Sequence, residues 1–244
     1  MLRFFRTIRK NLLAQNRFTR YLLYAFGEIA LVMIGILLAL QVNNWNNRQK
    51  QAAHEQKVLK ELLLNLRMDS LDHAGNRDWS LDVGASAGFI VDGLEARVPW
   101  QDSMSHHYGQ LLLHGVATLN TSAYDNLQSI GFDLISNDSI RIALTSLYSL
   151  DLTRLLKLEK EMLSDGQLHN IIPVVLKRVR INEPWWNSTP HDYDALMDDL
   201  EFQTVVRWKS VTNNHIAREY EIARKETGKL IEMIQGELAK NDAP

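Results

Sequence analysis

The 244-residue chain contains no cysteine. That excludes disulfides, thiol catalysis and thiolate metal sites. It leaves the compartment open, because a chain of this size can bury a core without covalent staples. No proline occurs before Pro99, so nothing of that kind interrupts a helix begun near the N-terminus. No alternating apolar run requires a strand, and there is no internal repeat. No Gly-rich phosphate loop follows a strand, and Ser, His and Asp occur in no recognisable nucleophile arrangement. Residues 1–20 hold no acidic side chain at all.

What those first residues do hold is Arg3, Arg6, Arg9, Lys10, Arg17 and Arg20, a local charge of +6. The overall net charge of −2 therefore hides an asymmetry. Six of the 27 basic residues sit in the head, leaving 21 against 29 acidic residues and a net of −8 for the remainder. A basic head suits anionic lipid headgroups or nucleic acid, its position against an apolar run favours lipid, and the acidic remainder argues against nucleic-acid binding by the main domain. Leu2, Phe5, Ile8 and Leu12 recur at helical spacing among the basic residues. The head is either an amphipathic helix lying in the headgroup layer or a positive flank that only sets topology.

Residues 21–40 form a 20-residue apolar run, from Tyr21 to Leu40, interrupted by a single carboxylate, Glu28. A helix of that length covers about 30 Å, the thickness of a bilayer's hydrocarbon core. The run is longer than the apolar region of a cleaved signal peptide and exits through Gln41-Val42-Asn43-Asn44-Trp45 without a small-x-small site. It reads as an uncleaved anchor spanning 21–42. Six basic residues precede it, against Arg48, Lys50, Lys57 and Lys60 within positions 41–60. The positive-inside rule then puts the N-terminus in the cytoplasm and the large domain outside it, in the periplasm of an inner-membrane protein.

An ionised carboxylate inside a span costs on the order of 3 kcal/mol, so Glu28 needs an explanation. Gly27, Leu31, Gly35 and Ala39 lie along one stripe at intervals of four, and Gly35-x3-Ala39 is a small-xxx-small pair. One reading is helix association, with Glu28 hydrogen-bonding to a neighbouring helix of a second copy or another membrane protein. The other is that Glu28 reaches the headgroups and pairs with Arg20 or Arg17.

Beyond the membrane, residues 43–96 read as a helical stalk, with Val58, Leu59, Leu62, Leu63 and Leu66 on one face. Residues 97–244 read as a helical bundle packing with that stalk. Val98-Pro99-Trp100 closes the first helix, and a second is expected from Ser103 to His114. A short helix from Ala123 stops at Gly131, and Ser136-Asn137-Asp138 provides N-cap chemistry for a long helix tracked by Leu144, Leu147, Asp151, Leu155, Leu158 and Met162. Pro173 bends or restarts it, and a last helix runs from Leu200 to Lys240. The expected fold class is all-α: one transmembrane helix, a long stalk and an antiparallel bundle.

Candidate chemistry is sparse. His106, His107 and His114, with Asp102 nearby, are possible ligands, but 107 and 114 are two turns apart and match no metal-helix spacing. No metal and no cofactor is expected. Trp185-Trp186 is either an exposed platform for a partner or a plug at the end of the bundle.

The block Tyr21-Leu22-Leu23-Tyr24-Ala25-Phe26-Gly27-Glu28, continued by Ile34-Gly35-Ile36-Leu37-Leu38-Ala39-Leu40-Gln41-Val42-Asn43-Asn44-Trp45-Asn46, resembles a large family of single-span proteins of Gram-negative bacteria catalogued as a domain of unknown function. Ala123 to Gly131, with Leu134-Ile135-Ser136-Asn137 and Ile140-Arg141, is similar to a second block of that family. The resemblance implies a membrane location and a helical outer domain, and aligns the family's recurring span Glu with Glu28. It implies no activity. The expected function is therefore that of a non-enzymatic assembly, scaffold or ligand-binding protein of the inner membrane, with the lipid bilayer and a membrane protein or second copy as partners. An envelope enzyme with a diffuse active site is the competing class.

Overall fold

The computed structural model describes residues 18–184 and 186–241. The expectations placed on Arg3, Arg6, Arg9, Lys10 and Arg17, on the Arg20 side chain and on Trp185 lie outside the described residues. By its contacts the chain divides into two units, Met1–His54 and Glu55–Pro244.

Helix α1 covers Phe18–Glu95. Within the first unit it carries a segment long and apolar enough to cross a membrane, suited to an N-terminal anchor. Leu22, Phe26, Leu31 and Leu38 are all more than half exposed, so no described part of the chain covers this apolar surface. Gly27, Leu31, Gly35 and Ala39 are exposed and Glu28 is half-buried. A side chain at Gly27 or Gly35 would meet open space.

The second unit begins at Glu55, so residues 55–95 of α1 belong to the domain's core. The helix ends in a Schellman motif. Arg97 takes a left-handed φ of 51°, its N–H donates to Leu94 O at 3.1 Å, and the Val98 N–H donates to Gly93 O at 2.9 Å. Pro99 comes next, unable to continue the helix. A 3₁₀ turn, Asp102–Met104, leads into α2, Ser105–Gln110, shorter than the helix expected to reach His114. Then comes an irregular crossing and α3, Ser122–Ile130, stopped by Gly131 at φ 112°, a conformation L side chains rarely adopt.

Helix α4, Asp138–Ser146, starts where the sequence indicates, with the Asn137 side chain accepting from the Ser139 and Ile140 N–H groups. Beyond Ser146 the structure departs from the regular α-helix that the sequence suggests. The helical run to Arg178 alternates α segments, α5 (Leu152–Leu158) and α6 (Ile172–Arg178), with π-helical stretches at Leu147–Asp151, Glu159–Asp165 and Gln167–Ile171. The last π-stretch ends at Ile171, and Pro173 follows in the first turn of α6, where it has no N–H to continue an α-helical ladder back into the preceding turn. An α-helix has 3.6 residues per turn and a π-turn is wider, so the mixture averages about four. The buried residues obey that period: Leu155, Glu159, Leu163, Gln167, Ile171, Val175 and Val179 are each at most 3% exposed. Leu158 and Met162, expected on the buried side, only flank the core.

A two-residue ladder pairs β1 (Val179–Arg180) with β2 (Thr189–Pro190), antiparallel, in an otherwise all-α structure. Helix α7, Tyr193–Leu196, precedes α8, Leu200–Asn241. Two apolar clusters organise the bundle. One joins Leu59, Leu62 and Leu66 of α1 to Leu144 and Leu155 and to Ile216, Tyr220 and Ile234 of α8. The other joins Ile90 and Leu94 to Tyr108, Val175, Phe202 and Val206. Helices α1 and α8 therefore run antiparallel.

Between the clusters most of the buried side chains are polar: Asp69, His73, Ser80, Glu159, Gln167, Lys209 and Thr212. The irregular crossing after α2 runs through this waist, and side chains serve its backbone. Leu111 O accepts from Gln167 Nε2 at 2.9 Å, and Leu113 O from Lys209 Nζ at 2.8 Å. The N–H groups of Ala117, Thr118 and Asn120 donate to Glu159 (3.1 Å), Asp72 (3.1 Å) and Asp69 (2.8 Å). Asn120 O accepts from Asn65 Nδ2 at 3.1 Å. Asp69→Ala strands the Asn120 donors, and we expect a loss of about 1–3 kcal/mol, read as a lower denaturant midpoint of the full chain at unchanged slope.

Candidate functional site

The stripe Gly75, Trp79, Asp82, Ser86, Phe89 advances by four, three, four and three residues, so all five lie on one face of α1. Facing them are His106, His107 and Gln110 of α2, Leu113 from the crossing and Trp186 from the β1–β2 loop. Together they line an open groove of about 900 Å³, within the range of small-molecule sites. Trp79, Phe89 and Trp186 are 47%, 46% and 48% exposed, three large aromatic surfaces left partly bare at one place.

The groove's geometry has local causes. Gly109 lets the β1–β2 loop approach α2: a Cβ there would sit 2.1 Å from the Trp186 carbonyl oxygen. The ladder from Val179↔Pro190 to Arg180↔Thr189 closes that loop, and Asn182 Nδ2 donates to Asn187 O across it at 2.7 Å. His107 Nδ1 and Ser86 Oγ share a hydrogen bond of 3.0 Å, and the His107 ring lies against Phe89 with centroids 4.3 Å apart. Burial lowers the His107 pKa, helped by neighbouring His106, which favours the neutral imidazole. His106 Nε2 and Gln110 Nε2 are 3.3 Å apart. Asp82 is exposed, makes no hydrogen bond or ion pair among the described residues, and shares the groove with no Lys or Arg.

The Ser86–His107 pair has nucleophile–base spacing, but Ser86 is inside α1, where nearby N–H groups are spent in the helix. Among the described residues no three His, Asp or Glu side chains gather as metal ligands. The arrangement is suited to stacking and hydrogen bonding with a ligand.

Behind the groove wall, Lys209 is fully buried. Its Nζ donates to Leu113 O and to Gln167 Oε1, the latter at 2.6 Å, and no carboxylate is bonded to it. Burial pushes its pKa down to about 7. His73 is buried with neither ring nitrogen bonded among the described residues, and burial lowers its pKa too. Burial raises the pKa values of Asp69 and Glu159, partly opposed by the Asn120 donors at Asp69 and by the neighbouring Tyr220 hydroxyl and the Ala117 N–H at Glu159.

Of the residues singled out from sequence, His106, His107 and Trp186 come together in the groove. Asp102 lies apart, accepting from Trp100 Nε1 at 3.3 Å, and His114 is exposed outside the groove. Trp79, Asp82, Ser86 and Phe89 are groove residues that the sequence does not single out. Their signal is the four–three spacing with two aromatics, obscured when 43–96 is read as a stalk. Comparison with family models, curated proteins and solved structures finds no match.

Two measurements probe the site. An unfolded lysine keeps its proton to about pH 10.5, whereas folded Lys209 releases it near 7. The folded pKa is depressed, so this group's contribution is full above pH 10.5 and lost as pH falls through 7. Thermal melts of the full chain from pH 7 to 9.5 should show wild type gaining on Lys209→Met, by at most about 1.4 kcal/mol per pH unit; a flat difference would show an amine that titrates normally. Gly109→Ala should displace the Trp186 loop, raise acrylamide quenching of tryptophan fluorescence and cost about 1–3 kcal/mol.

Proposed function

We propose that the protein is a membrane-anchored binding protein, non-enzymatic, whose helical domain captures a ligand or partner group in the groove between α1 and α2. The carrying observation is the convergence of three half-exposed aromatic rings on one cavity of about 900 Å³. Supporting it is the exposed apolar segment of α1, which suits a single span in the bacterial inner membrane. The charge asymmetry around that segment favours a cytoplasmic N-terminus and a periplasmic domain, with the basic head on anionic headgroups. The Gly27, Leu31, Gly35, Ala39 stripe, with Glu28 beside it, is the surface on which the span meets a second copy or another membrane protein. The family resemblance of residues 21–46 agrees with that placement.

The absence of native cysteine makes the test direct. Asp133→Cys, on the second unit, should react with a membrane-impermeant maleimide added to intact spheroplasts, whereas protection until lysis would reverse the topology. In the same membranes, oxidation of single-cysteine variants along 27–39 should crosslink Gly35→Cys and Ala39→Cys and spare Leu37→Cys. Uniform crosslinking, or none, would remove self-association through this stripe.

A further inference from the structure

The groove's polar groups are unevenly committed. Ser86 and His107 are bonded to each other, and His106 and Gln110 lie side by side at 3.3 Å. Asp82 is the one carboxylate of the lining, and no Lys or Arg in the lining neutralises it. The aromatic rings add the negative faces of their π-systems. A carboxylate beside several ring faces repels anions and attracts organic cations, by ion pairing and by cation–π contact. The wider field has the same sign, since residues 21–244 carry a net charge of −8, 21 basic against 29 acidic. A neutral sugar would also stack on the rings and donate hydroxyls to Asp82, but it would leave the carboxylate's charge unbalanced.

Building on the reading of the groove as a binding site, we infer that its ligand is an organic cation, an alkylammonium group whose apolar substituents lie on Trp79, Phe89 and Trp186 while Asp82 balances the charge. Trp79 and Asp82, three residues apart on α1, form the ring and counter-ion of one side. Trp186, fixed by its approach to Gly109, forms the opposite wall.

The probe is choline, compared with its neutral carbon isostere 3,3-dimethylbutan-1-ol and with the disaccharide maltose. Each is titrated calorimetrically into the full chain in phosphatidylglycerol nanodiscs. Choline should bind at least fivefold more tightly than the isostere. Asp82→Asn should bring the two within twofold, and Trp79→Ala should weaken choline about tenfold; both substitutions are at exposed positions and spare the core. Equal binding of choline and isostere, or binding of maltose without choline, overturns the charge selectivity while leaving the groove a binding site. Binding by none of the three overturns both the inference and the reading on which it rests. Choline binding unchanged in Asp82→Asn and Trp79→Ala places the cation elsewhere and likewise overturns the inference.

Discussion

The domain depends on how an irregular stretch of backbone crosses the middle of a helical bundle. Between 111 and 120 the chain forms no helix or strand, so its N–H and C=O groups need partners from elsewhere. They find Gln167, Lys209, Glu159, Asp72, Asp69 and Asn65, drawn from all three long helical elements. This explains why the interior between two apolar clusters is polar, and why a lysine sits there with its pKa at about 7 rather than 10.5. A buried polar network of this type is costly when any member is missing, and so specifies one path for the crossing. The groove inherits that precision, because Leu113 belongs to both.

Much of the architecture is legible in the residues. The apolar run, the Asn137 cap, the stop at Gly131 and the long final helix are local signals, governed by chemistry within a few positions. The all-α expectation holds for the same reason. The π-stretches are not legible from a 3.6-residue template, since Glu159 and Gln167 look like surface residues until the period is taken as four. Nor does anything local mark Lys209 as buried: its burial depends on a carbonyl at Leu113 far along the chain.

The site is half visible in the sequence. His106, His107 and Trp186 carry chemistry that their residue types alone announce. Trp79 and Phe89 belong to an amphipathic stripe with no partner named by the sequence, and only the placement of α2 and the β1–β2 loop shows that the stripe stays partly uncovered. Sequence period tells which residues share a face. It does not tell whether another element will cover that face.

The four-residue period sets the module's unit of length. In an ordinary bundle helix, seven residues return a side chain close to its starting direction, so heptads are what can be gained or lost. From Leu155 to Val175 the interior is reached every fourth residue. An insertion or deletion of four residues there would keep the stripe facing inward, while one of seven would swing it about a quarter turn off the interior. Variation in the length of this helix is thus constrained to steps that a heptad helix would reject.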